Sequence, residues 1–103
     1  MTHYNKDSFD QALREGKLMM VDFWASWCGP CKMLAPVFED LDHQYEGKVV
    51  VGKVNVDEEQ ELAIRYGVMN IPTVIFFQDG REIDRKVGVM PPQAFSQVLD
   101  SRL

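Results

Sequence analysis

The run Leu18-Met19-Met20-Val21-Asp22-Phe23-Trp24 is apolar at every position but one. A stretch this short and this continuous reads as a β-strand covered on both faces. Further along, Leu34, Val37, Phe38, Leu41 and Tyr45 recur at helical spacing, which predicts a long amphipathic helix closed by Gly47. Pro36 falls inside that helix and removes one backbone donor, so a kink is expected there. The β-branched run Val49 to Val56 then reads as a second strand. Strand, helix and strand in succession require a crossover, and crossovers pair strands in parallel. The chain is therefore expected to be α/β.

The rest of the sequence extends this plan. Asp7-Ser8-Phe9 opens a first helix that Gly16 ends. Residues 1–4 are a candidate edge strand. Glu59 to Tyr66 is a short helix with Leu62, Ala63 and Tyr66 inward. Thr73 to Phe77 and Glu82 to Val87 flank Gln78-Asp79-Gly80-Arg81, a hairpin signature that makes the last strand pair antiparallel. Pro91 starts a final helix burying Phe95, Val98 and Leu99. The expected result is a mixed sheet with helices on both faces, in one domain of 103 residues.

Charge and composition narrow the function. A formal net charge of -5, with no cluster of Lys and Arg, argues against nucleic-acid binding. No apolar stretch is long enough to span a bilayer. The beginning, Met1 to Asp7, lacks the basic and apolar regions of a secretory signal, so a cytoplasmic protein is expected.

The two cysteines, Cys28 and Cys31, are the only ones in the chain. They fall where the first long strand hands over to the long helix. A helix N-terminus carries unsatisfied N–H groups and partial positive charge, and both favour a thiolate at Cys28. Thiolates attack disulfides. Three-residue spacing on a helix brings Cys31 to the same face, where it can resolve a mixed disulfide formed at Cys28. Pro30 is tolerated in the first turn because its missing N–H has no helical partner there. A structural disulfide closing so short a loop would contribute little. A zinc site needs four ligands, and only His3 and His43 could add to the pair. His3 lies in the N-terminal arm, and His43 lies near the far end of the helix, where it complements the helix C-terminus. No metal and no bound cofactor are expected.

Two charges interrupt apolar runs. Asp22 is either a wet carboxylate at the open end of its strand or a buried general acid/base for the cysteine pair. Lys53, within Val49-Val50-Val51-Gly52-Lys53-Val54, either snorkels to the surface or reaches Asp22 from a neighbouring strand.

Taken together, these residues resemble a known family. Phe23-Trp24-Ala25-Ser26-Trp27-Cys28-Gly29-Pro30-Cys31-Lys32 is similar to the active-site segment of the thioredoxin family, in its bacterial form. Asp22, Pro36, Lys53-Val54-Asn55-Val56-Asp57, Ile71-Pro72-Thr73 and Val87-Gly88 match it in order, so the resemblance covers essentially the whole chain. It implies the thioredoxin fold, a five-stranded mixed sheet flanked by four helices. It also implies a general protein-disulfide reductase with Cys28 as nucleophile and Cys31 as resolving thiol. Asp22 and Lys53 become the buried pair beneath them. A cis peptide at Ile71-Pro72 is implied, as is an apolar docking surface of Trp27, Gly29, Pro30, Ile71, Pro72 and Gly88. Trp24 is expected to pack under the site.

The partners implied are disulfide-containing proteins and a thioredoxin reductase, an NADPH-dependent flavoprotein, that recharges the pair. No apolar helix face is left unexplained beyond the docking surface, so a monomer is expected. A binding subunit indifferent to its redox state is the rival from another functional class, and replacing both cysteines with serine separates the two. Asn70 and Met90-Pro91-Pro92 depart from the usual family pattern near the docking rim, where they bear on partner preference.

Overall fold

Nine elements follow one another along the chain in a computed structural model that describes residues 1–103. They are β1 (Thr2–His3), α1 (Lys6–Glu15), β2 (Met19–Trp24), α2 (Gly29–Gln44), β3 (Val50–Asn55), α3 (Gln60–Arg65), β4 (Thr73–Gln78), β5 (Arg81–Val87) and α4 (Pro92–Asp100). The strands form one sheet in the order β1-β3-β2-β4-β5. β3 pairs in parallel with β1 and β2, whereas β4 pairs antiparallel with β2 and β5. The expected mixed sheet with four helices is what the chain forms.

Alternation along the strands sorts the core into two layers. Met20, Val51, Val74 and Phe76 pack with Leu34, Phe38 and Leu41 of α2 and with Phe95 and Leu99 of α4. Met19, Val21, Phe23, Val54, Ile75 and Phe77 face the other way, onto Phe9 of α1 and Leu62 of α3. Each fully buried Phe or Leu contributes roughly 1.5–3 kcal/mol, so register is strongly specified in β2, which is covered on both faces. The same alternation places Asp22 on the α2 side.

Several boundaries differ from the sequence reading, each for a local reason. α1 begins earlier, because Asn5 and Ser8 form a reciprocal capping box: the Ser8 N–H donates to Asn5 Oδ1 at 2.8 Å, and the Asn5 N–H donates to Ser8 Oγ at 2.9 Å. Gly16 ends that helix at φ +73°. α2 reaches back to Gly29 and stops at Gln44, with Tyr45 as its C-cap ahead of Gly47. Pro36 lies inside an unbroken helix. β4 and β5 run closer to the turn than expected, leaving only Asp79-Gly80 between them. Both residues have positive φ, +55° and +76°, as the tight turn matching strand twist requires. Pro91 is the N-cap of α4 rather than its first residue, since its ψ of 148° is extended.

α3 is short and has no side-chain N-cap. It is held from outside by Arg65, which donates to both carboxylate oxygens of Asp10 on α1 at 2.6 and 3.3 Å. Arg85 on β5 donates to the Tyr66 carbonyl at 2.8 Å. These ties fix the segment that leads into Ile71-Pro72. Elsewhere, a side chain at Gly52 of β3 would run into the Tyr4 ring and the Thr2 carbonyl. β1 can close against β3 only because that position is glycine. Gly52→Ala is therefore expected to destabilise the protein by about 1–3 kcal/mol, read as a lower urea midpoint with an unchanged denaturant slope.

Candidate active site

The C-terminal end of β2 delivers the chain directly to the cysteines. After Trp24 the backbone turns, with the Cys28 N–H donating to the Ala25 carbonyl at 3.2 Å. Cys28 is the N-cap of α2, at φ −87° and ψ 109°. Its sulfur takes the place an Asp or Ser oxygen usually takes, accepting the Cys31 N–H at 3.2 Å. Gly29 and Pro30 fill the first two helical positions, and Pro30 has no N–H to compete for that sulfur. Cys28 and Cys31 are joined as a disulfide with a Cα separation of 5.3 Å. Both are buried, Cys28 at 4% and Cys31 at 3% exposure, in a small apolar cluster with Ala25, Trp24, Val56 and Ile71. The pair is therefore shielded yet close to the surface.

Three loops surround it. The Ile71–Pro72 peptide bond is cis, and the Ile71 carbonyl oxygen lies 3.8 Å from Cys28 Sγ. Gly88 donates its N–H to the Pro72 carbonyl at 2.8 Å and has φ +90°, a conformation that favours glycine. Trp27 is 68% exposed, but its indole N–H is tied to Asp57 Oδ2 at 2.8 Å. Asp57 is in turn placed by a turn in which Asn55 Oδ1 accepts the Asp57 N–H at 2.9 Å. The structure thus brings Trp27, Ile71, Pro72 and Gly88 around the disulfide, with Gly29 and Pro30 exposed at the helix start.

Sequence reasoning gave no role to Asp57, although it lies in the matched segment. It also missed the exposed Met33, Met69 and Val89. Met33 was legible, because it falls off the Leu34, Phe38, Leu41 stripe. Met69 and Val89 stand in loops that have no periodicity to read.

Asp22 is fully buried, which settles its two open readings in favour of burial. Neither of its carboxylate oxygens has a hydrogen-bond partner within the protein. Burial pushes its pKa up to about 7, and the Lys53 charge only partly opposes the shift. Lys53 is the register partner of Asp22 on β3, as the sequence allowed. Its ammonium rests instead over the Trp24 ring, 4.7 Å from the centroid. His43 lies in the last turn of α2, as expected, and His3 on β1. No group of three or more His, Cys, Asp or Glu is disposed to hold a metal ion, and no helix is long and apolar enough to cross a membrane.

The family model for thioredoxin matches residues 1–101. The chain belongs to the thioredoxin family. Thioredoxins of Staphylococcus aureus, among them those of strains Mu50 and MW2, are 50% identical to it over 95 residues, which covers 92% of this chain and 90% of theirs. A solved thioredoxin structure from Plasmodium falciparum superposes with a TM-score of 0.91 at 31% identity and full coverage of both chains. The chain is accordingly a protein-disulfide oxidoreductase of this family, acting by dithiol–disulfide exchange on disulfide-containing substrates.

The raised Asp22 pKa has a stability consequence with a definite sign. The folded state holds this proton to about pH 7, whereas the unfolded chain releases it near the ordinary aspartate value of 3.8. Between those limits the folded state binds more protons, so stability falls as pH rises. Asp22→Ala removes the penalty. The variant is expected to be more stable than the native chain above pH 7, by an amount on the order of a few kcal/mol. The advantage should shrink as pH falls toward 4. Urea midpoints of both proteins across that range are the check; a difference independent of pH would contradict the assignment.

Proposed function

We propose that this thioredoxin is a general reductant of protein disulfides in which Cys28 is the nucleophile and Cys31 the resolving thiol. The observation that carries this reading is the Cys28 sulfur capping α2 and accepting the Cys31 N–H. Negative charge on that atom meets an aimed donor and the positive end of a helix of 16 residues. The helix dipole acts more weakly on Cys31, which lies further inside the helix.

In the reduced protein, the Cys28 thiolate attacks one sulfur of a substrate disulfide. The S–S bond breaks, and the departing substrate sulfur takes up a proton. Cys31 then loses its proton to Asp22 and attacks Cys28 Sγ. The mixed disulfide breaks, and the second substrate sulfur leaves and takes up a proton as Asp22 returns the one it received. The protein is left with the Cys28–Cys31 disulfide, and the substrate has gained two electrons and two protons. A carboxyl pKa of about 7 suits this transfer, since the group is then part carboxylate at neutral pH. Lys53, its register partner on β3, is the charge that acts on it.

Substrate docks on Trp27, Gly29, Pro30, Ile71, Pro72 and Gly88. The Ile71 backbone pairs with the extended substrate chain next to Cys28, in the manner of strand addition. Reduction of the spent disulfide falls to an NADPH-dependent flavoprotein reductase. The single domain of residues 1–103 acts as a monomer in the cytoplasm.

The test is reduction of insulin disulfides with dithiothreitol as electron source. The native chain should accelerate it strongly and Cys28→Ser not at all. Cys31→Ser should stall as a covalent mixed disulfide, visible by non-reducing electrophoresis. Asp22→Ala should lose rate by roughly a hundredfold near neutrality, the lower end of what acid–base groups supply. Equal activity of Cys28→Ser and the native chain would overturn the nucleophile assignment.

A further inference from the structure

Lys53 is half-buried, and its ammonium takes part in none of the protein's ion pairs or side-chain hydrogen bonds. Its nearest feature is aromatic: Nζ lies 4.7 Å from the centre of the Trp24 ring. The ring is itself held, because Trp24 closes β2 opposite Asn55 of β3 and His3 on β1 meets it edge-on at 6.5 Å. His3 is also the register partner of Lys53. An ammonium attracted to an aromatic face is stabilised without a counter-ion, most strongly by Trp. Across β2, Asp22 keeps both oxygens unpartnered although Lys53 is its register neighbour. A lysine stem is long enough to serve either carboxylate or ring, and here it serves the ring.

We propose that Trp24 is a positioning residue that holds the Lys53 ammonium on its ring and off the Asp22 carboxylate, setting the positive charge that Asp22 faces. The groups arrayed around Asp22 are few. Lys53 approaches from β3, uncharged Val74 is its partner on β4, and α2 covers its face beginning from Cys28 and Cys31. Lys53 is the one charge that acts on the carboxyl, and it does so from a distance that leaves burial dominant. Releasing it from the ring lets it close on Asp22, which favours the carboxylate form. The role of Trp24 in exchange rests on the acid–base reading of Asp22; its role in placing Lys53 does not.

Two measurements test this. In the native protein, the Lys53 ε-protons should be shifted upfield by the ring current of Trp24; a random-coil position would overturn the proposal without any mutation. The second follows the Asp22 carboxyl carbon by NMR against pH, beside the pH–rate profile of insulin reduction. Trp24→Leu should move the Asp22 titration down by about one unit, and Trp24→Phe, which keeps a weaker aromatic face, by less. In a Lys53→Met background, Trp24→Leu should move it little. An equal shift in that background would mean that Trp24 acts by excluding water, and would overturn the proposal. If the titration moves as expected while the rate profile stays fixed, the positioning of Lys53 stands and the acid–base role of Asp22 falls.

Discussion

Burial of β2 on both faces is the constraint on which the molecule depends. The strand is flanked by β3 and β4, with α2 and α4 over one face and α1 and α3 over the other. Slipping its register by one residue would exchange Met20 and Asp22 with Met19, Val21 and Phe23, and put a carboxylate among the phenylalanines. No such slip is tolerable, so the end of β2 is fixed in space. Everything chemical is hung from that end: Trp24 closes the strand, and Cys28 caps the helix that follows. The accuracy of the disulfide's placement is the accuracy of the sheet.

Against that background Asp22 is an anomaly in energy. An ionised carboxylate without partners in the middle of a sheet is far less favourable than an apolar residue of similar size. The chain tolerates it because the group can hold its proton until about neutrality. The same burial that weakens the fold at higher pH raises the proton affinity of the carboxyl into the neutral range. Asp10 goes the other way, with the Arg65 hydrogen bonds holding its pKa low. Two aspartates of one chain are thus driven apart by their surroundings, one serving structure and the other available for chemistry.

Most of the architecture was legible because its signals are local. The apolar run of β2, the stripe of α2 and the Asp-Gly turn each report on a few neighbouring residues, and each element formed where expected. The boundaries were less legible, since caps such as Asn5 with Ser8 depend on hydrogen bonds that no periodicity records. The cysteine pair could be read from its place at a strand-to-helix junction. The convergence of Ile71, Pro72 and Gly88 on it came only from the family resemblance, because loops distant in sequence are brought together by sheet order alone. Asp57 and the ring under Lys53 escaped entirely. Asp57 acts through a side-chain contact between two turns, and Lys53 through one across strands, where register fixes who can meet but not which partner a long side chain takes.

Four of the exposed apolar side chains on this acidic chain lie in or next to the loops around the disulfide. Trp27 lies beside the disulfide, and Met69, Val87 and Val89 flank the Ile71-Pro72 and Gly88 loops. A free Trp side chain would lose conformational freedom whenever a partner covered it. The Asp57 hydrogen bond has already removed much of that freedom, so the ring meets a partner with less left to lose. The methionine does the opposite, offering a flexible, polarizable surface that adapts to different shapes. A rigid indole beside Cys28 and an adaptable thioether at the rim together suit the proposed role, in which one sulfur is presented accurately to many partners. On that proposal, accuracy resides near Cys28, where geometry decides the reaction, and tolerance lies further out, where only contact is needed.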